Sequence, residues 1–251
     1  MSTSLPVIAI NVARGDLFKV SRPRALVTIV GALTLFTGAM NFVSFHIKKP
    51  AALALIRIDA GYQLALSFLG ILALCICASY SAQEFSLKTL RNLFLHAPSR
   101  LGVIFGKVLA GVVIIFALNS YIFLFSLAFG LSNGTELRAS QVMGLLRDFS
   151  HGFMSTCALG IFGTTLGFIC ASSVIAIAVG LLWSLIIESI LSSTLAHSTA
   201  WLPIVNFENL AGSGAKTLST ITFTHSLVVS AGYVVFLLAL SILSFTRADI
   251  P

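Results

Sequence analysis

Between Lys107 and Glu136 the chain reads KVLAGVVIIFALNSYIFLFSLAFGLSNGTE, with 28 consecutive uncharged residues inside the two ends. A charge at the centre of a bilayer costs about 2.5 to 3.5 kcal/mol on insertion scales, and about 20 apolar residues in helical form cross the hydrocarbon. The interval therefore predicts a membrane-spanning helix over about 103–131. Working outward with the same criterion, the gap from Arg24 to Lys48 predicts a span over 25–45, and the gap from Asp59 to Glu84 one over 61–80. The gap from Lys216 to Arg247 predicts a last span over 227–245. Asp148 and Glu208 enclose 59 residues with Glu188 as the only charge, too many for one crossing. The small-residue stretch Cys170, Ala171, Ser172, Ser173 reads as a tight turn that divides this interval into spans over 153–169 and 174–195.

Composition agrees with this reading. Of the 251 residues 57% are hydrophobic and 9% charged, against roughly 25% charged in an ordinary soluble domain. A water-soluble globule is excluded. Transmembrane β-strands would alternate apolar and polar residues over about ten positions, whereas these runs are apolar on all sides. The expectation is an all-α, polytopic membrane protein: one transmembrane domain over 1–251 with six crossing helices.

The net charge of +7 would suggest nucleic acid in a soluble protein. Here the basic residues lie in short segments between apolar runs, so the expected partner is the lipid bilayer and not nucleic acid. Six crossings put both termini on one side. That side carries Arg14, Lys19, Arg22, Arg24, Lys88, Arg91, Arg100, Lys107 and Arg247, nine basic residues; the other carries Lys48, Lys49, Arg57, Arg138, Arg147 and Lys216, six. The bias predicts cytoplasmic termini. The first span follows a basic lead, so an uncleaved first helix is expected rather than a signal peptide. In that lead Val7, Ile8, Ile10, Leu17 and Phe18 are interrupted by Asn11, Arg14, Asp16 and Lys19, the pattern of a helix at the cytoplasmic interface. Cys75, Cys77, Cys157 and Cys170 all fall inside apolar runs and read as small core residues.

The segment between spans two and three, SAQEFSLKTLRNLFLHAPSRLGVIFGK over 81–107, carries the one informative motif. From Glu84 to Ala97 the apolar Leu87, Leu90, Leu93, Phe94 and Ala97 recur at spacings of three and four, predicting a short amphipathic helix that ends before Pro98. The order Glu84, Lys88-Thr89-Leu90, Leu93, Pro98-Ser99-Arg100 and Gly106-Lys107 resembles the cytoplasmic signature of ABC-2 type permeases, the membrane subunits of bacterial ABC exporters. Lys88 stands where that family usually has glycine, and Leu93-Phe94 replaces its leucine pair. The segment WLPIVNFENLAGSG from Trp201 is similar to the family's re-entrant helical pair on the outer side, with Trp201, Pro203, Asn206 and Glu208 as its marked residues.

The resemblance implies that two permease subunits, identical or paralogous, dock on two ATPase subunits in the cell inner membrane. Glu84, Phe85, Lys88, Thr89, Arg91, Asn92, Pro98, Ser99, Arg100 and Lys107 would then belong to the element that couples to the ATPase. It also implies that ATP and Mg bind the partner chain. This agrees with the residues, because Gly102 to Lys107 has three residues between its glycines and Val108 where a P-loop needs a hydroxyl. No cofactor is expected on this chain, and it is expected to be a transport subunit rather than an enzyme. The run Lys88-Thr89-Leu90-Arg91-Asn92-Leu93 followed by Pro98-Ser99-Arg100 looks like permeases linked to resistance to peptide antibiotics and other drugs, which implies an apolar or amphipathic cargo.

Within the spans, Glu188 is the one carboxylate. It reads either as a lining residue of the transport pathway, with Asn119 and Ser184, or as a partner for a cationic substrate, or else as a protonated or capped carboxyl near the outer interface. Asn119 and Ser184 also fit interhelical hydrogen bonding. His46, His151, His197 and His225 fall at outer span ends, but their spacing places no two on one helical face, so no metal site is expected. Two other classes compete. A self-contained secondary transporter would show internal repeats and several buried charges. A membrane hydrolase would need a Gly-x-Ser-x-Gly elbow or His-Glu-x-x-His, and neither is present.

Overall fold

The computed structural model of the chain describes residues 5–20, 23–47, 54–86, 99–133, 139–194, 199–212 and 221–247. These form eight helices: α1 (Leu5–Val20), α2 (Pro23–Ile47), α3 (Ala54–Ser86), α4 (Arg100–Ser132), α5 (Ala139–Cys170), α6 (Ser173–Thr194), α7 (Pro203–Leu210) and α8 (Phe223–Arg247). The six candidate membrane spans are Leu26–His46, Ile58–Gln83, Arg100–Ser132, Val142–Cys170, Ser173–Thr194 and Phe223–Ser244. All six charge-gap intervals correspond to one of them. We call the end where α2 begins and α8 finishes the terminus end, and the opposite one the far end.

Two boundaries differ from the sequence expectation for one reason. Helix propensity ignores the charges that mark the hydrocarbon limit, so helices run past it. The fourth span starts at Val142 rather than 153, carrying Arg147 and Asp148 within α5. The helix α3 continues through Glu84 and Phe85 to Ser86, so Glu84 does not open a separate amphipathic helix. No glycine or proline stands between Tyr80 and Ser86 to end it. Lys88, Thr89, Arg91, Asn92 and Pro98, with the rest of the expected coupling helix, lie outside the described residues. The tight turn after α5 is present, with Ala171 at φ 50°, a left-handed conformation that costs an L-residue about 1 to 2 kcal/mol.

The centre of the bundle is α3 against α5. Glycines on α5 allow the contact: a Cβ on Gly163 would collide with the carbonyl of Leu74, and one on Gly167 would lie 2.7 Å from the carbonyl of Ala78. Leu74, Leu159, Phe162 and Phe207 pack around this seam, and Ala73, Cys77, Tyr80 and Ile115 fill the crossing with α4. Beside it α2 runs along α4 in the same direction. Thr34 meets the Tyr121 hydroxyl at 2.6 Å, Asn41 donates to Ser126 Oγ at 3.0 Å, and Phe45 meets Phe129 edge-on at 5.5 Å.

With 33, 33 and 32 residues, α3, α4 and α5 are each about 50 Å long against roughly 30 Å of hydrocarbon. The first turns of α4 lie beyond the start of α2, and there α1 covers them. The helix read from the basic lead is present, with Ile8 and Val12 buried against Val103, Ile104 and Phe168.

Candidate functional site

At the terminus end, the residues flanking the segment 87–98 are tied together inside the protein. Ser99 caps α4, its hydroxyl accepting the amide of Gly102 at 3.2 Å. This accounts locally for the Pro-Ser-Arg sequence: proline cannot continue a preceding helix, and serine then satisfies an orphan amide of the next one. Phe85, near the end of α3, meets Phe168 of α5 edge-on at 6.3 Å.

Two turns into α4, Lys107 is 1% exposed. Its ammonium donates to Asp16 Oδ2 of α1 at 3.1 Å and to the Tyr80 carbonyl of α3 at 3.2 Å. The Tyr80 hydroxyl returns a hydrogen bond to the Lys107 carbonyl, and the ammonium lies 5.4 Å from the Tyr80 ring centroid. One cation thus joins three helices. Close approach makes this possible, since a Cβ on Gly106 would sit 2.7 Å from the Ala9 carbonyl and from Val12 Cβ, and one on Gly102 would sit 2.7 Å from Ile8. The Gly106-Lys107 pair of the sequence motif therefore works inside the fold, with the glycine admitting α1 and the lysine holding it. Lys107 is placed for this internal role and not on an accessible docking face. Its partner Asp16 was outside the sequence-derived site; its signal was a lone acid in a basic lead.

At the far end, Glu188 is buried and both its oxygens have partners. Oε1 accepts the amide of Val205 at 2.8 Å and Oε2 accepts the indole N–H of Trp183 at 3.1 Å. In a regular α-helix residues five apart point about 140° away from each other. Leu182–Ile187 is instead a π-helical turn, in which the amide of Glu188 bonds the carbonyl of Trp183, and this brings the two side chains to one face. Val205 is the third residue of α7, whose N-cap is Leu202 and whose first residue is Pro203. Leucine has no side-chain acceptor, so Glu188 reaches over from α6 to cap α7 through the Val205 amide.

The other marked residues are also used locally. Asn206 donates to the carbonyls of Ala200 and Leu202, and the exposed Trp201 accepts from the Tyr233 hydroxyl at 2.8 Å through its carbonyl. Asn209, which the sequence did not single out, donates to Ser226 Oγ of α8 at 2.7 Å. Asn119 accepts from the Tyr62 hydroxyl at 2.9 Å and donates to the Phe149 carbonyl at 3.4 Å, joining α3, α4 and α5 within the core. This interhelical role takes Asn119 away from any open path. Ser184 and Glu208, by contrast, line a cavity between α3, α5, α6 and α7, together with Ser155 and Leu66. His151 stacks on Phe223 and His225 meets Trp201 edge-on, while His197 lies outside the described residues. Among the described residues no three His, Cys, Asp or Glu gather.

No curated protein matches the chain. Residues 25–251 match the family described as "Protein of unknown function (DUF2705)", and the chain, a multi-helical protein with six candidate membrane spans, belongs to that family.

Proposed function

We propose that this chain is the membrane-spanning permease subunit of an ATP-driven ABC-2 type exporter. It moves an apolar or amphipathic compound out of the cell, using ATP hydrolysed with Mg on a separate subunit. The carrying observation is the Glu84 to Lys107 block, which stands between two long helices at the end that also holds Arg14, Arg24 and Arg247. In this reading the terminus end is cytoplasmic, the chain is multi-pass in the cell membrane, and a second permease subunit completes the pathway. Two ATPase subunits bind the segment from Glu84 to Arg100.

The packing supports a mechanical role for that segment. Its two flanks are held by Phe85 on Phe168 and by Lys107 on Asp16 and Tyr80. A displacement of the segment is therefore passed to α1, α3, α4 and α5 as one body rather than absorbed by a single helix. The cavity lined by Ser184 and Glu208 lies midway along α3, α5 and α6, against α7, where a cargo moving through the bundle would pass.

Co-purification from native membranes tests the proposal. An ATPase subunit should accompany the chain, and Arg91→Glu should abolish cargo-dependent stimulation of ATP hydrolysis while the chain still inserts. Isolation without any ATPase, together with ATPase rates indifferent to Arg91→Glu and Glu84→Gln, would sink it.

A further inference from the structure

The polar groups that line the cavity between α3, α5, α6 and α7 are set up to accept hydrogen bonds. Ser67 gives its hydroxyl proton to the Gln63 carbonyl at 3.2 Å, and Ser184 gives its own to the Leu181 carbonyl at 3.4 Å. A hydroxyl has one proton, so both oxygens have only lone pairs left for the cavity. Glu208, exposed on α7, adds a carboxylate to the same lining. The segments that form the walls supply no cation of their own, since no Lys or Arg stands between Asp59 and Glu84 or between Asp148 and Lys216.

Deeper in the cavity lies a hydroxyl without a bond. Ser155 is 4% exposed and lines the cavity, yet among the described residues its side chain has no hydrogen-bond partner. The adjacent Thr156 bonds the carbonyl of Gly152, one turn back, at 2.8 Å, which is how a hydroxyl in a helix ordinarily satisfies itself. Ser155 does not turn back in this way. An unpaired hydroxyl in so buried a place is costly, and it marks a position where a ligand completes the bonding. Leu66 and Leu159 supply aliphatic surface beside it. Glu188, one turn beyond Ser184 on α6, has both oxygens occupied by Val205 and Trp183 and takes no part.

We propose that this cavity binds the protonated amine of an amphipathic compound. The three N–H groups of the ammonium meet the oxygens of Ser155, Ser184 and Glu208, and the aliphatic part lies against Leu66 and Leu159. A neutral alcohol brings one donor to the same wall. A carboxylate brings none and meets Glu208 with like charge. The inference deepens the exporter reading and rests on it for calling the ligand a cargo, whereas the binding itself needs no ATPase and no turnover.

Saturation binding of radiolabelled n-octylamine to the purified full chain in nanodiscs at neutral pH, with partitioning into empty nanodiscs subtracted, decides it. Binding should saturate, and unlabelled octylamine should compete about tenfold better than n-octanol or octanoate. Glu208→Gln should weaken octylamine binding by about tenfold and Ser155→Ala by about threefold. Ser155→Ala should do so without lowering the melting temperature, because the hydroxyl it removes bonds nothing in the protein. Octanol competing as well as octylamine, no saturable binding, or binding indifferent to both variants would overturn the proposal and leave water as the occupant. Octylamine binding by a chain that brings no ATPase from native membranes would sink the exporter reading and leave this site standing. A co-purified ATPase with no saturable octylamine binding would do the reverse.

Discussion

The two ends of the bundle each bury an ionisable side chain, and they handle it in opposite ways. At the terminus end Lys107 meets an opposite charge, Asp16, contributed by a helix 91 residues away. At the far end Glu188 meets only dipoles, the Val205 amide and the Trp183 indole, both within 17 residues. The first arrangement is long-range, ionic and joins three helices. The second is local, neutral on its partner side and joins α6 to the short helix that follows it. A buried ion pair is strongly destabilised when one partner is lost, whereas a lost cap costs about one helix-terminal hydrogen bond. The comparison therefore describes a rigid clamp at the terminus end and a lighter local cap on α7 at the other.

The largest effect that would test this contrast is loss of one clamp partner. Lys107→Met should leave Asp16 buried without its cation and lower stability by about 3 to 5 kcal/mol, read as a fall in melting temperature in detergent. The double change Asp16→Leu, Lys107→Met should recover most of that loss. If the double variant is as unstable as the single one, the pair is not the clamp.

A smaller but sharper effect is expected at the glycine beneath it. Gly106→Val places side-chain atoms against the Ala9 carbonyl and should cost about 1 to 3 kcal/mol, with α1 levered away from α4. Thiol labelling of a cysteine placed at Val12 would report this as faster modification, and unchanged labelling would count against the close approach.

The smallest effect belongs to the Glu188 cap. Glu188→Ala should cost about 0.5 to 2 kcal/mol as a lost cap. Glu188→Gln should cost less, because its carbonyl oxygen still accepts the Val205 amide. Transport or cargo binding in the two variants sharpens the point: a capping role predicts that Gln is the milder change, whereas a role as counter-ion to a cationic cargo predicts that Gln and Ala are equally damaging.

The contrast also explains what was readable in advance. The six candidate spans followed from charge gaps, and the turn at Ala171 from small residues between two apolar runs. Both depend on local free energies, the cost of placing a charge in hydrocarbon and the ease of bending a chain. The break between α3 and the segment after it was placed too early, because amphipathic spacing from Glu84 onward does not by itself end the helix that precedes it. In the sites, Glu188 was legible as a carboxyl that is either lining or capping, whereas the capping of α4 by Ser99 emerged only in the structure.

The sequence by itself determined the multi-helical, membrane-like class, the number of candidate spans and the position of the one charge-rich segment between them. Each of these is an additive property of neighbouring residues, so no knowledge of packing was needed. Only the tertiary structure decided which polar groups meet. It turned Lys107 inward onto Asp16 and Tyr80, joined Asn119 to Tyr62, and used a π-helical turn to aim Glu188 at α7. The physical reason is that a buried polar group must find its partner where close-packed helices place one, and that position depends on glycine contacts and helix register far away along the chain.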